Sequence, residues 1–144
     1  MFITFHGKLE DSIQAFYENL AEKDGDIAHR NIYLALAKEN KKHKDRILRA
    51  YREIITDALE GGFPIFDLNE KDYALKNNNT EDIALDDILN NAIDVELKSI
   101  KFCDDASKSI NGLIVEVSQE FEWLKKRKAK RLHKIQNLLY SIYI

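Results

Sequence analysis

The chain has 144 residues, enough for one domain with a sizeable core. Its single Cys rules out an intramolecular disulfide, and a charged fraction of 33% with ordinary apolar content argues against disorder. No apolar run approaches a membrane span, and the start "MFITFHGKLED" shows no basic stretch followed by a long apolar one, so a cytoplasmic protein with no membrane contact is expected. Leu9, Ile13, Phe16 and Leu20 predict a first helix from residue 9 to about 23, ended by "KDGD" at 23–26. A second helix starts near Asp26, a candidate N-cap, and runs to about Glu60, where "GGFP" at 61–64 stops it. Residues 61–80 read as a long connection rich in Asn and Gly. A third helix starts between Thr80 and Asp86 and ends near Ser107. A break at Asn111–Gly112 precedes a fourth, from about Leu113 to about residue 142.

Each helix carries an apolar seam with something polar in it. The second runs Ile32, Leu36, Asn40, His43, Ile47, Tyr51, Ile54. The third runs Leu89, Ile93, Glu96, Ile100, Cys103. The fourth runs Leu113, Val117, Glu120, Leu124, then Leu132, Ile135, Leu139, Ile142, and the first holds Glu10. Glu10 and Asn40 are equally far from Gly25, about 22 Å at 1.5 Å per residue, and Glu96 and Glu120 are symmetric about Lys108. A lone buried carboxylate is expensive, but three carboxylates and an imidazole at one level share a cation. Asn40 reads equally well as a register-fixing amide, Trp123 as a core plug, Cys103 as a buried structural thiol and Tyr17 as packing or a bond to a ligand. Glu39, Glu122, His6, His29 and His133 read as surface residues. A competing register sets "KRLH" at 130–133 opposite the second helix, but the surrounding bases make that segment a poor core face.

Short link, long link, short link specify an all-α fold: a ferritin-like four-helix bundle in one domain, 1–144. Its two antiparallel hairpins, about 9–60 and about 81–142, are joined by a crossover at 61–80. There is also an internal echo, "EDSIQAFYENLAE" at 10–22 against "ELKSIKFCDDASK" at 96–108. "AIDVELKSIKF" at 92–102 and "LAKENKKHKDRI" at 36–47 resemble the Ala-Ile-x-x-Glu and Leu-Ala-x-Glu-Glu-x-x-His helices of rubrerythrin-like members of the ferritin-like superfamily. The resemblance implies a carboxylate-bridged di-iron centre with peroxide- or dioxygen-linked redox chemistry, an oxidoreductase if active. Carried over residue by residue, it matches Glu10, His43, Glu96 and Glu120 as metal ligands. Asn40, a weak donor, stands where the family has a bridging Glu, and Trp123 where it has a His. The expectation is a site reduced to one metal ion, iron by resemblance. The alternative is a non-catalytic helical-bundle interaction module that has lost its di-iron centre.

The charge is uneven: residues 1–124 carry −10 and the remainder +7, seven bases falling in "KKRKAKRLHK" at 125–134. Cations there complement the helix dipole on a solvated extension. An anionic or nucleic-acid partner through 125–134 is a second reading. Self-association is a third, supported by the apolar tail "IQNLLYSIYI", and a homodimer is expected.

Overall fold

The computed structural model describes residues 2–58, 70–75, 85–110 and 115–142. They form α1 (Phe2–Lys23), α2 (Ile27–Ala58), a 3-10 turn (Glu70–Tyr73), α3 (Leu85–Ile110) and α4 (Val115–Ile142), with no strand among them. The described residues are therefore all-helical, with four α-helices. The stop at 61–64, the cap at Thr80 and the break at Asn111–Gly112 lie outside the described residues. Helix α1 begins well before the expected residue 9, because its buried seam continues backwards from Ile13 through Glu10 and Leu9 to His6. A histidine in the seam hides that continuation from a search for apolar residues.

Local signals explain the α1–α2 link. Asp26 Oδ1 accepts the backbone N–H groups of Ala28 (2.8 Å) and His29 (3.2 Å), which α2 itself cannot satisfy. Asp24 accepts from the Asp26 N–H and from the Tyr33 hydroxyl, fastening the link to the first turns of α2. Asp26→Ala is expected to lower stability by about 1 kcal/mol, read as a reduced urea midpoint, with Asp26→Asn close to the parent. An unchanged midpoint in the alanine variant would remove the cap from this account.

Helix α1 packs on α2, α3 on α4, and α2 on α4. Along α1 and α2, Tyr33 meets Asp24 near the link, and Asn40 and Lys44 meet Glu10 and Asp11 further from it. The core is filled by Leu9, Ile13, Tyr17, Leu36, Ile47, Leu89, Phe102, Phe121, Leu124 and Ile135, all nearly inaccessible. Burying a side chain of this size contributes roughly 1.5–3 kcal/mol. Tyr73, from the 3-10 turn, is buried against Phe5 and Phe102 and donates its hydroxyl to Asp105 at 2.7 Å, which ties this piece of the connection to α3. In the apolar tail, Ile135 is buried and Leu138 and Leu139 pack on the same core, while Tyr140 is 69% exposed. The side chain of residue 142 and residues 143–144 of that tail lie outside the described residues. No described helix is long and apolar enough to cross a membrane.

Candidate functional site

At one level of the bundle, every helix turns two consecutive seam positions over to polar side chains: His6 and Glu10 from α1, Asn40 and His43 from α2, Glu96 and Ser99 from α3, Lys128 and Arg131 from α4. All eight are buried. The spacing of three or four residues puts each pair on one helix face, and the contacts between them gather the pairs into a single layer.

Two ion pairs organise the layer. Lys128 Nζ lies 2.6 Å from Glu10 Oε1, both side chains fully inaccessible. Arg131 Nε lies 2.8 Å from Glu96 Oε1, and its Nη2 reaches Glu96 Oε2 at 3.4 Å. Asn40 joins the pairs: its Nδ2 donates to Glu10 Oε2 at 2.8 Å and its Oδ1 accepts from Arg131 Nη2 at 2.7 Å. An amide is the side chain that can do both at once. His6 Nε2 lies 3.4 Å from Glu10 Oε1, with its ring stacked on Phe102 and edge-on to Phe121. Tyr17 lies under the Arg131 guanidinium, 5.4 Å from ring centre to Cζ.

The electrostatics follow from this geometry. Burial alone would raise the Glu10 carboxyl, but the Lys128 charge and the His6 contact outweigh it and hold Glu10 well below the usual carboxylate range. Burial opposes the Arg131 charge, and Glu96 more than restores it. Burial and the adjacent Glu96 push the Tyr17 hydroxyl far up, against Arg131. Burial, aided by Lys128, pushes His43 down to about 3, so its imidazole is neutral at neutral pH. Burial pushes the Cys103 thiol up to about 12, which leaves it without nucleophilic thiolate. The His43 Nδ1 and the Ser99 Oγ have no hydrogen-bond partner among the described residues.

Of the residues the sequence singled out, Glu10, Asn40 and Glu96 come together. His43 sits one turn from Asn40 on α2, edge-on to Trp123 at 5.9 Å. Glu120 lies elsewhere: it is paired with Arg46 on the α2–α4 surface, with its side chain 27% exposed. The reason is register. The buried stripe of α4 is Val117, Phe121, Leu124, Lys128, Arg131, Ile135, and Glu120 falls beside it. Trp123 is half-buried at the rim, not a core plug, with the guanidinium of Arg46 at 3.5 Å and that of Arg127 at 5.2 Å from its ring centre. The basic run is not a uniformly solvated extension, because Lys128 and Arg131 belong to the interior and Lys125 pairs with Asp104 and Glu122. His6, expected at the surface, is 1% exposed.

Comparison with protein-family models, curated proteins and solved structures gave no match. Among the described residues no group of three or more His, Cys, Asp or Glu side chains is placed to hold a metal ion. The donor set does not fit a carboxylate-bridged metal pair. Both interior carboxylates already have a cation from α4 in contact, and Glu120, the third, is outside. A divalent ion entering between Glu10 and Glu96 would displace an ammonium or a guanidinium that has no other buried acid to meet. Chemically, the layer can hold four helices in one register and keep its two charges neutralised.

Proposed function

We propose that the chain is a ferritin-like four-helix bundle, two antiparallel hairpins with a long crossover, that works as a non-catalytic interaction module. In this reading Lys128 and Arg131 stand in for the metal ions of the family it resembles. One observation carries the reading: Lys128 and Arg131, an i, i+3 pair on α4, contact Glu10 and Glu96 at 2.6 and 2.8 Å in the interior. Two single positive charges meet two single negative ones, and Asn40 satisfies the remaining oxygen of Glu10. The layer is neutral without any ion from solution, and a buried set that is already neutral has little to offer a divalent cation.

The competing reading makes Glu10, His43, Glu96 and Glu120 the ligands of a single iron. Elemental analysis separates the two, using protein purified without chelator and then incubated with ferrous iron. The expected content is below about a tenth of an equivalent per chain, the same in His43→Ala. Stoichiometric iron in the parent that disappears in His43→Ala would overturn the interaction-module reading.

A further inference from the structure

The outward face shared by α2 and α4 is basic. Lys42, Arg46 and Arg49 recur at one-turn spacing on α2, and Arg127, Lys130 and Lys134 do so on α4; all six are exposed. The two rows lie side by side, since α2 packs on α4 and Arg46 of α2 reaches both Trp123 and Glu120 of α4. Lys134 lines the groove further along together with Glu39. Glu39, Glu53, Glu116 and Glu120 are the acids of this face, Glu116 one turn before Glu120 on α4; Glu120 is engaged by Arg46, and Glu39 lies 3.9 Å from Arg131. Among the described residues Lys42, Arg49, Arg127, Lys130 and Lys134 form no ion pair.

The arrangement is a double stripe of repeated single charges. Its length, from Lys42 to Arg49, is about 10 Å on α2, with a matching run on α4. None of the exposed large apolar side chains, Ile27, Leu34, Leu97, Val115 and Tyr140, stands in either row. A protein partner binds through an apolar centre with a polar rim; these rows have the half-buried Trp123 between them, and the apolar lining of the α2–α4 groove (Ile32, Ala35, Leu36, Leu138) begins only past Glu39 and Lys134. A repeating polyanion needs no apolar centre, because released counterions drive its binding. Arginine suits phosphate in particular, since its planar fork matches two phosphate oxygens, and stacking on Trp123 limits the orientations Arg127 must give up on binding, while Arg46 is held by Glu120.

We propose that the α2–α4 face binds the phosphate backbone of nucleic acid without reading bases. The proposal extends the run at 125–134: three of its bases are spent in the interior or on Asp104 and Glu122, and α2 supplies replacements that the sequence order conceals. It rests on the interaction-module reading. Metal content and nucleic-acid binding are measured separately, so a metal-free chain that ignores nucleic acid removes only the present proposal.

The test is fluorescence polarisation of a labelled mixed-sequence oligonucleotide, single-stranded and as duplex, across a salt series. Engagement of about four or five phosphates predicts a log–log salt slope near −4 on the duplex and near −3 on the single strand. The triple charge reversal Lys42→Glu, Arg49→Glu, Lys130→Glu is expected to weaken binding more than about tenfold. The control Lys8→Glu, Lys41→Glu, Lys101→Glu makes the same change in net charge off this face and is expected to weaken it no more than about twofold. Thermal melting checks that both remain folded. In the parent, Trp123 is the sole tryptophan, so its emission should shift as the oligonucleotide saturates, independently of any variant. Absent binding at low salt, an unchanged Trp123 emission, equal weakening by the two triple variants, or displacement by polyglutamate at equal charge concentration would each overturn the proposal, the last in favour of an acidic protein.

Discussion

Lys128→Met is expected to destabilise the fold by about 3–5 kcal/mol, measured by urea denaturation. Methionine nearly matches the volume of lysine, so the loss would not come from a cavity. It would come from Glu10, whose side chain is fully inaccessible and whose Oε1 contacts the Lys128 ammonium at 2.6 Å. Without that ammonium the carboxylate remains in the interior with only the Asn40 amide and the His6 ring beside it. Replacing both partners should be far milder. Glu10→Gln with Lys128→Met keeps an acceptor for Asn40 and removes both charges, and it should lie within about 1–2 kcal/mol of the parent. The cycle therefore yields a coupling energy of about 2 kcal/mol or more between the two residues. A single Lys128→Met variant that loses under about 1 kcal/mol would place this lysine in water and dissolve the layer.

The second large effect is acid destabilisation beginning above the usual carboxylate range. His43 is pushed down to about 3 in the fold against 6.5 when unfolded. Between those values the unfolded chain binds the extra proton, so stability is complete above about 6.5 and falls as the pH drops, by up to about 1.4 kcal/mol per pH unit. Glu10 acts in the same direction at lower pH. Its folded carboxyl lies below its unfolded value of 4.5, so the stability it contributes is present above 4.5 and lost beneath it. Urea midpoints should fall by roughly 2–3 kcal/mol in equivalent stability from pH 7 to pH 4.5. His43→Leu, which cannot titrate, should flatten the curve from pH 6.5 to 5 and leave the steeper loss below 4.5 intact. Parallel curves for parent and variant over the upper range would show that His43 is solvated.

Three of the four seams were legible from the residues alone. Glu10, Asn40 and Glu96 stand out as polar breaks in otherwise apolar stripes, and equal distance from Gly25 matches Glu10 with Asn40, whereas equal distance from Lys108 matches Glu96 with Glu120, which the structure does not bring together. The fourth seam was misread for a physical reason. Val117, Phe121, Leu124, Lys128, Arg131 and Ile135 keep a regular 4, 3, 4, 3, 4 spacing, yet two of the six are bases inside a run of seven. Lysine and arginine are almost never fully buried unless a carboxylate awaits them, and that carboxylate is far away in sequence, on α1 or α3. A search for acids in the seam therefore selects Glu120, whereas a strict continuation of the 117–124 spacing points to 128 and 131. The mismatch was visible as arithmetic: Glu10 and Asn40 are 30 residues apart and Glu96 and Glu120 only 24, whereas Glu96 and Arg131 are 35. His6 was missed in the same way, as a polar residue one turn before the seam was thought to begin. The bond from Arg46 to Glu120 and the Arg46 guanidinium on Trp123 depend on how α2 meets α4, which no pattern within either helix encodes; the Arg127 contact with Trp123 is an i, i+4 pair within α4.

Because both neutralising charges of the interior belong to α4 itself, they arrive with the polypeptide and cannot be chelated, exchanged or starved away. A bundle organised around a captured ion waits for that ion before it can close, and its population tracks the cell's supply. If the proposed interaction-module reading holds, closure needs no captured ion, so its yield should be the same in mineral-depleted and mineral-replete medium.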